Sequence, residues 1–352
     1  MNVIPAKINA AVLYKHDKPL KVISLITPKL QKGQVFVKIF YSGVCKSQLM
    51  EIKGKRGKDI WLPHLLGHEA VGKVISVGPG VKKVKKNDEV ILSWIKGEGL
   101  DVSGAIFKNR KQYINSGPVT TFSNYSIVSE NRVYKKPKYL SYKTAVLFGC
   151  ALPTGCGIIY NELNIKKNDK RNFLIYGLGG IGISALLALK SKNIKNIFVV
   201  DKCTKKLNFA KTIGVKNIYS TKENNYRKKI FKKSKSGVDV CIECAGYVST
   251  IEDAFSLINP KKGQLIFSSH PDNKEPIKLY PHELISGKQI KGSWGGKTNL
   301  DRDISKISKN LKNMKQTLNK LINKEYSLED INFAINDLDK NKVFRAIIKM
   351  HH

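Results

Sequence analysis

Acid is scarce in this chain: of 352 residues only 27 are Asp or Glu against 63 Lys or Arg, a formal net charge of +36. Cysteine is scarce as well, with six thiols in all and none between Cys45 and Cys150. That spread excludes a dense disulfide framework and leaves reduced thiols that are catalytic, ligating or merely buried. A long apolar run is missing too. No stretch without charge exceeds 18 residues, and Thr144 to Asn161, one of that length, is interrupted by Pro153 and several glycines and is too short and broken for a spanning helix. The opening residues, MNVIPAKINAAVLYKHDKP, show no apolar core behind a basic start. The expectation is a soluble, cytoplasmic protein with no membrane partner.

What is abundant is lysine. It scatters through every segment alongside Asn and Ile, as an AT-rich coding sequence would produce, and the aromatics do not interleave with it as a stacking platform requires. Compositional drift explains the charge better than a polyanion site, so no specific nucleic-acid partner is expected. A diffuse positive field would still assist an anionic substrate or cofactor. The chain is longer than one hydrophobic core usually supports, and 41% hydrophobic residues suffice for two.

Two grammars divide the chain. Up to about residue 95, short alternating strands such as QVFVKIFYSGV, AVGKVISVG and DEVILSW are separated by Gly, Pro and Asn turns, a β-rich module with a closed or partly closed barrel. Residues 96 to 123 are poorly periodic and read as a long excursion, after which NYSIVSENRVYKKP returns to strand character. From residue 152 apolar strands alternate with helices, which makes a parallel sheet covered by helices. The fold class is α/β, with a barrel domain over 1–151, a doubly wound domain over 152–294 and a segment over 295–352 returning to the first. The terminal His351 and His352 have the look of a tag remnant and are given no role.

Gly177, Gly179 and Gly182, with Gly180 among them, fit G-x-G-x-x-G. The setting strengthens this common pattern: NFLIY is a buried-strand run before it, ISALLALKSK a helix after it, and Asp201 closes the next strand, IFVVD. The glycines permit the tight turn, backbone approach to a pyrophosphate and close helix packing, while the helix start supplies unpaired N–H donors. Asp201 can accept from both adenosine ribose hydroxyls and repels a 2′-phosphate, which predicts NAD(H) over NADP(H). Lys202 beside it would soften that repulsion.

Cys45 in YSGVCKSQ and His68 in HLLGHEAVG, each taken alone, read more readily as buried residues than as ligands. Together with Glu69 and with Cys150 in LFGCALPTGCG, they suggest a site assembled from distant parts of the chain.

At this point the chain resembles the zinc-containing medium-chain alcohol dehydrogenases, which join a GroES-like catalytic domain to a Rossmann domain. The resemblance rests on GVCKS, GHEAVGKVISVGPGVKKVKKNDEV, FGCALPTGCG and YGLGGIGI with VVD, and it spans essentially the whole chain. It implies Cys45, His68 and Cys150 as catalytic zinc ligands and Glu69 as a neighbouring or transient one. Two thiolates and an imidazole leave one coordination position for an oxygen, whose acidity the ion would raise. It implies further that Ser47 receives the substrate proton, that Lys46 and Arg345 reach the pyrophosphate, and that Lys206 reaches the adenosine ribose. Trp94 would line the substrate pocket, and Trp294 would lie near the segment holding the carboxamide. The function implied is hydride transfer between an alcohol, a polyol or sugar derivative among the candidates, and NAD. A homodimer or tetramer is implied through sheet extension across Rossmann domains.

Three departures qualify the resemblance. The absence of cysteine between Cys45 and Cys150 removes the four-cysteine lobe of many relatives, so one zinc per chain is expected. Gln48 stands where an acid usually orients the metal histidine, and Met50 where a histidine usually ends the proton relay. Cys241 and Cys244 form C-x-x-C inside a buried-strand pattern and read as packing residues, Cys156 as a reserve ligand, and Cys203 as an ordinary helix-start thiol. The rivals are a zinc-free quinone or enone reductase on the same scaffold and a polyanion-binding protein with a degenerate enzyme fold. Three ligand-type residues at matched positions argue against the first, and scattered lysines against the second.

Overall fold

The computed structural model describes residues 4–110 and 112–352. They form two compact units: the described residues of 4–151, with 299–308 and 318–352, make the first, and 152–298 with 309–317 make the second. The return to the first unit therefore begins at Asn299, and Lys309–Thr317 stay with the second, whereas the sequence suggested that everything from 295 onward returned.

In the first unit, β1 (Lys7–Leu13), β2 (Lys21–Ile26), β3 (Gln34–Val44), β4 (His64–Leu65), β5 (Glu69–Val77), β6 (Glu89–Ser93), β7 (Ile106–Asn109), β8 (Gln112–Asn115), β9 (Tyr125–Ser129) and β10 (Val133–Lys135) follow in order. A closed barrel runs β1-β2-β7-β8-β4. The barrel closes through the β7–β8 hairpin, which lies inside the stretch read from sequence as an excursion. Those strands are four residues each, and mainly Phe107 and Ile114 point inward, too little for a period to show. β3 is the long spine of the second sheet, buried along almost its whole length because β5 and β9 flank it. Val35, Val37, Ile39, Val74 and Val90 form the core under it.

The second unit is a six-stranded parallel sheet, β11 (Phe173–Tyr176), β12 (Ile197–Asp201), β13 (Asn217–Ser220), β14 (Val240–Glu243), β15 (Gln264–Phe267) and β16 (Gln289–Gly292), in the order β13-β12-β11-β14-β15-β16. β11, β12 and β14 are buried at every residue, as strands covered on both faces must be. The order reverses at β11, the switch point where open α/β sheets bind ligands beyond their strand ends.

The chain then returns to the first unit through β17 (Lys324–Tyr326) and β18 (Ala346–Lys349), with β18 antiparallel on β3. His352 packs against the rings of Phe40 and Tyr125 and its Nε2 lies 2.7 Å from the Ile39 carbonyl. Among the described residues no single helix is long and apolar enough to cross a membrane.

Candidate metal centre and nucleotide turn

Strand register in the first unit brings distant stretches of the chain together. β3 pairs with β5 so that Ser42 lies beside Ala70, which sets Cys45, just past the end of β3, against His68 and Glu69 at the start of β5. β5 pairs with β6 so that Glu69 lies beside Ser93, and the Ser93 hydroxyl donates to the Gly149 carbonyl at 2.6 Å, holding Cys150 next to Glu69. β18 pairs with β3 so that Ala346 lies beside Val44, which brings in Arg345. One donor atom from each of Cys45, His68, Glu69 and Cys150 lies within 4.8 Å of all the others.

Glycines make the room. A Cβ on Gly43 would lie 2.6 Å from the Glu69 carboxyl carbon, and one on Gly149 would lie 2.6 Å from the Glu69 Cβ. Gly67 takes φ +88 immediately before His68, a left-handed conformation that favours glycine.

Within the cluster His68 Nε2 is 3.3 Å from Cys150 Sγ, and Cys150 Sγ is 3.8 Å from Cys45 Sγ. Hydrogen bonding from the Cys150 thiol holds Cys45 well below the usual thiol range, and the same contact with burial pushes Cys150 well above it. Burial opposes a charge on His68, yet the Cys45 thiolate and the carboxylates of Glu69 and Glu51 raise it. Burial also pushes Glu69 up against the pull of Arg345, whose guanidinium bonds its Oε1. Glu69 Oε2 is buried with no hydrogen-bond partner among the described residues. Two thiols, an imidazole and a spare carboxylate oxygen around one point are a donor set suited to zinc. A cation there would favour both thiolates, leaving the neighbouring carboxylate neutralised by Arg345.

Ser47 lies in the helix Lys46–Ile52 that starts after Cys45; its Oγ is buried with no hydrogen-bond partner among the described residues. Lys46 begins that helix on the exposed side. Gln48 is buried and within reach of His68, with Nε2 3.1 Å from Nδ1.

In the second unit the three motif glycines have different causes. Gly177 takes φ +91, and a Cβ on Gly182 would lie 1.9 Å from the Gly177 carbonyl oxygen. Gly179 is different: its φ is −78 and an added Cβ would meet only the Cys244 carbonyl, at 3.9 Å. No contact among the described residues requires a glycine there, whereas a pyrophosphate lying on the backbone would. Gly180 opens the helix Gly180–Ser191, whose first N–H groups lack intrahelical partners. Asp201, at the end of β12, accepts from the Leu178 N–H at 2.6 Å and the Cys203 N–H at 2.8 Å. Each oxygen keeps a lone pair for a further donor.

Two family models match the chain: the alcohol dehydrogenase GroES-like domain over residues 31–138 and the zinc-binding dehydrogenase domain over residues 180–313. The chain belongs to the zinc-dependent alcohol dehydrogenase family. It is an oxidoreductase of alcohols and carbonyl compounds that uses zinc and NAD. This dehydrogenase is 25% identical to an S-(hydroxymethyl)glutathione dehydrogenase of Escherichia coli over 97% of its own length and 100% of the relative's. It is 26% identical to the enzyme of that name from Photobacterium damsela subsp. piscicida, over 97% and 99%. Among solved structures, benzyl alcohol dehydrogenase from Acinetobacter calcoaceticus shares the fold at a TM-score of 0.87 and 24% identity, covering 98% of this chain and 99% of that one.

The other thiols of the dehydrogenase stand apart from the metal cluster. Cys156 is buried in the second unit and turned toward the Ser184 carbonyl. Cys241 and Cys244 are buried, and burial pushes both thiols up. Trp94 is half-buried just past β6, its carbonyl accepting from the Arg132 guanidinium. Trp294 precedes the turn Gly295–Lys297, is 67% exposed and sits edge-on to His270. Lys206 lies in the first turn of the helix Thr204–Thr212. Sequence reasoning missed Glu51, which bonds Gln48 at 3.1 Å, and the pairing of Arg345 with Glu69.

Proposed function

We propose that this dehydrogenase moves a hydride between a small alcohol and NAD, with Cys45, His68 and Cys150 holding zinc and Glu69 as a neighbouring or transient ligand. The observation that carries the reading is the convergence of those donor atoms within 4.8 Å, from three stretches far apart in sequence. When bound, zinc polarises the substrate oxygen and lowers the pKa of its hydroxyl. The chain does the rest. Ser47 accepts the hydroxyl proton, a role supported by its Oγ being buried without a partner among the described residues. Met50 carries no proton, so the proton leaves by another route than that position. Gly179 leaves the backbone open to the pyrophosphate, the start of the helix Gly180–Ser191 offers N–H donors, and Asp201 takes the ribose hydroxyls and repels a 2′-phosphate. Lys46 and Lys206 supply positive charge to the cofactor. Arg345, committed to Glu69, neutralises that carboxylate and offers its remaining N–H groups to a phosphate.

β16 ends the six-stranded sheet, and its outer edge suits pairing with the same strand of a second copy, a route to a dimer. The test of function is NADH formation across a panel of polyols, sugar derivatives, benzyl alcohol and S-(hydroxymethyl)glutathione, before and after zinc removal. The expected result is zinc-dependent reduction of NAD, preferred over NADP, by one class. Turnover undiminished by verified zinc loss would contradict the proposal.

A further inference from the structure

The buried carboxamide of Gln48 is held from both ends. The Gly67 N–H donates to its Oε1, and its Nε2 donates to Glu51 Oε2 at 3.1 Å. A peptide N–H can only donate and a carboxylate can only accept, so the oxygen and nitrogen of this amide are not interchangeable. Glu51 is three residues beyond Gln48 on the helix Lys46–Ile52, a spacing that puts both side chains on one face. The lock leaves Nε2 3.1 Å from His68 Nδ1. An N–H facing Nδ1 makes that ring nitrogen the acceptor. In a neutral imidazole the proton then sits on Nε2, the nitrogen 3.3 Å from Cys150 Sγ.

That is the opposite of what a zinc ligand needs. A histidine binding a metal through one nitrogen donates from the other, usually to a carboxylate or carbonyl. We propose that Glu51 is a positioning residue for the metal histidine: by locking Gln48 it keeps the His68 proton on Nε2, so that zinc enters only as that proton moves from Nε2 to Nδ1 and the amide turns its oxygen to accept it. The site consequently holds zinc less tightly than one with an accepting group at position 48. This rests on the zinc reading above.

The charge-conserving exchange Gln48→Glu with Glu51→Gln reverses the lock, because the new carboxylate accepts from Gly67, from His68 Nδ1 and from the new amide at 51. Long-range ¹H–¹⁵N NMR on metal-free protein should place the neutral His68 proton on Nε2 in wild type and on Nδ1 in the exchanged protein. Competition with a chromophoric chelator should show the exchanged protein binding zinc at least about tenfold more tightly. The same tautomer in both proteins, or zinc bound no more tightly after the exchange, overturns the inference. Should the exchanged protein not fold, the wild-type tautomer decides, and a proton on Nδ1 overturns it. Wild type that binds no zinc sinks the zinc reading and the affinity claim with it, whereas zinc binding with the proton on Nδ1 sinks the lock alone.

Discussion

The metal cluster and the nucleotide turn are built in opposite ways. The cluster draws Cys45, His68 and Cys150 from the ends of separate elements, and only the pairing of β3 with β5, of β5 with β6 and of β18 with β3 makes them neighbours. The turn is one continuous passage from β11 through Gly177, Gly179 and Gly182 into a helix, closed by Asp201 at the end of the next strand. In the cluster, glycines serve a buried carboxylate: Gly43 and Gly149 make room for Glu69. In the turn, Gly177 and Gly182 serve the backbone, and only Gly179 is left for a ligand to explain. A site assembled by register depends on the whole fold around it, whereas a site made of one passage depends on its own residues.

The largest break in that comparison should come from Cys150→Ser. Losing zinc removes several kcal/mol of charge stabilisation, so turnover should fall by about 10³-fold or more, while NADH binding, followed by fluorescence, should hold. Next is Arg345→Met, which strands the buried Glu69 carboxylate; denaturant unfolding should show a loss of about 3–5 kcal/mol, partly recovered by adding Glu69→Gln. The turn's own glycines should separate more gently. Gly182→Ala, with its Cβ 1.9 Å from a carbonyl oxygen, should cost about 1–3 kcal/mol of stability. Gly179→Ala should cost only about 1 kcal/mol of stability, as a poorer helix N-cap, yet weaken NADH binding on the order of tenfold, because its Cβ would meet little but the ligand. The smallest effect is on pH. Cys150, held above the usual thiol range in the metal-free cluster, must lose its proton to become a ligand. Zinc binding therefore releases at least one proton, and its affinity should rise with pH by about tenfold per unit for each proton released, measured by chelator competition at several pH values.

The same contrast explains what was legible in the sequence. The turn could be read because its glycines, flanking strand and distal acid sit at fixed spacings within one passage. The ligand residues could be named only by resemblance, since nothing in YSGVCKSQ or HLLGHEAVG states which strands pair. The partner of Arg345 was hidden for the same reason: its carboxylate lies on a strand 276 positions away. The β7–β8 hairpin escaped notice because four-residue strands carry almost no period. Glu51 went unread because its role depends on where the Gly67 N–H points, which is set by a glycine at φ +88.

The most direct measurement is zinc per chain, by elemental analysis of protein purified without a metal-chelating column, for wild type, Cys45→Ser and Cys150→Ser. The account predicts about one zinc in wild type and almost none in either variant, with all three still binding NADH. Wild type without zinc under every growth condition, or zinc kept in full by both variants, would contradict it.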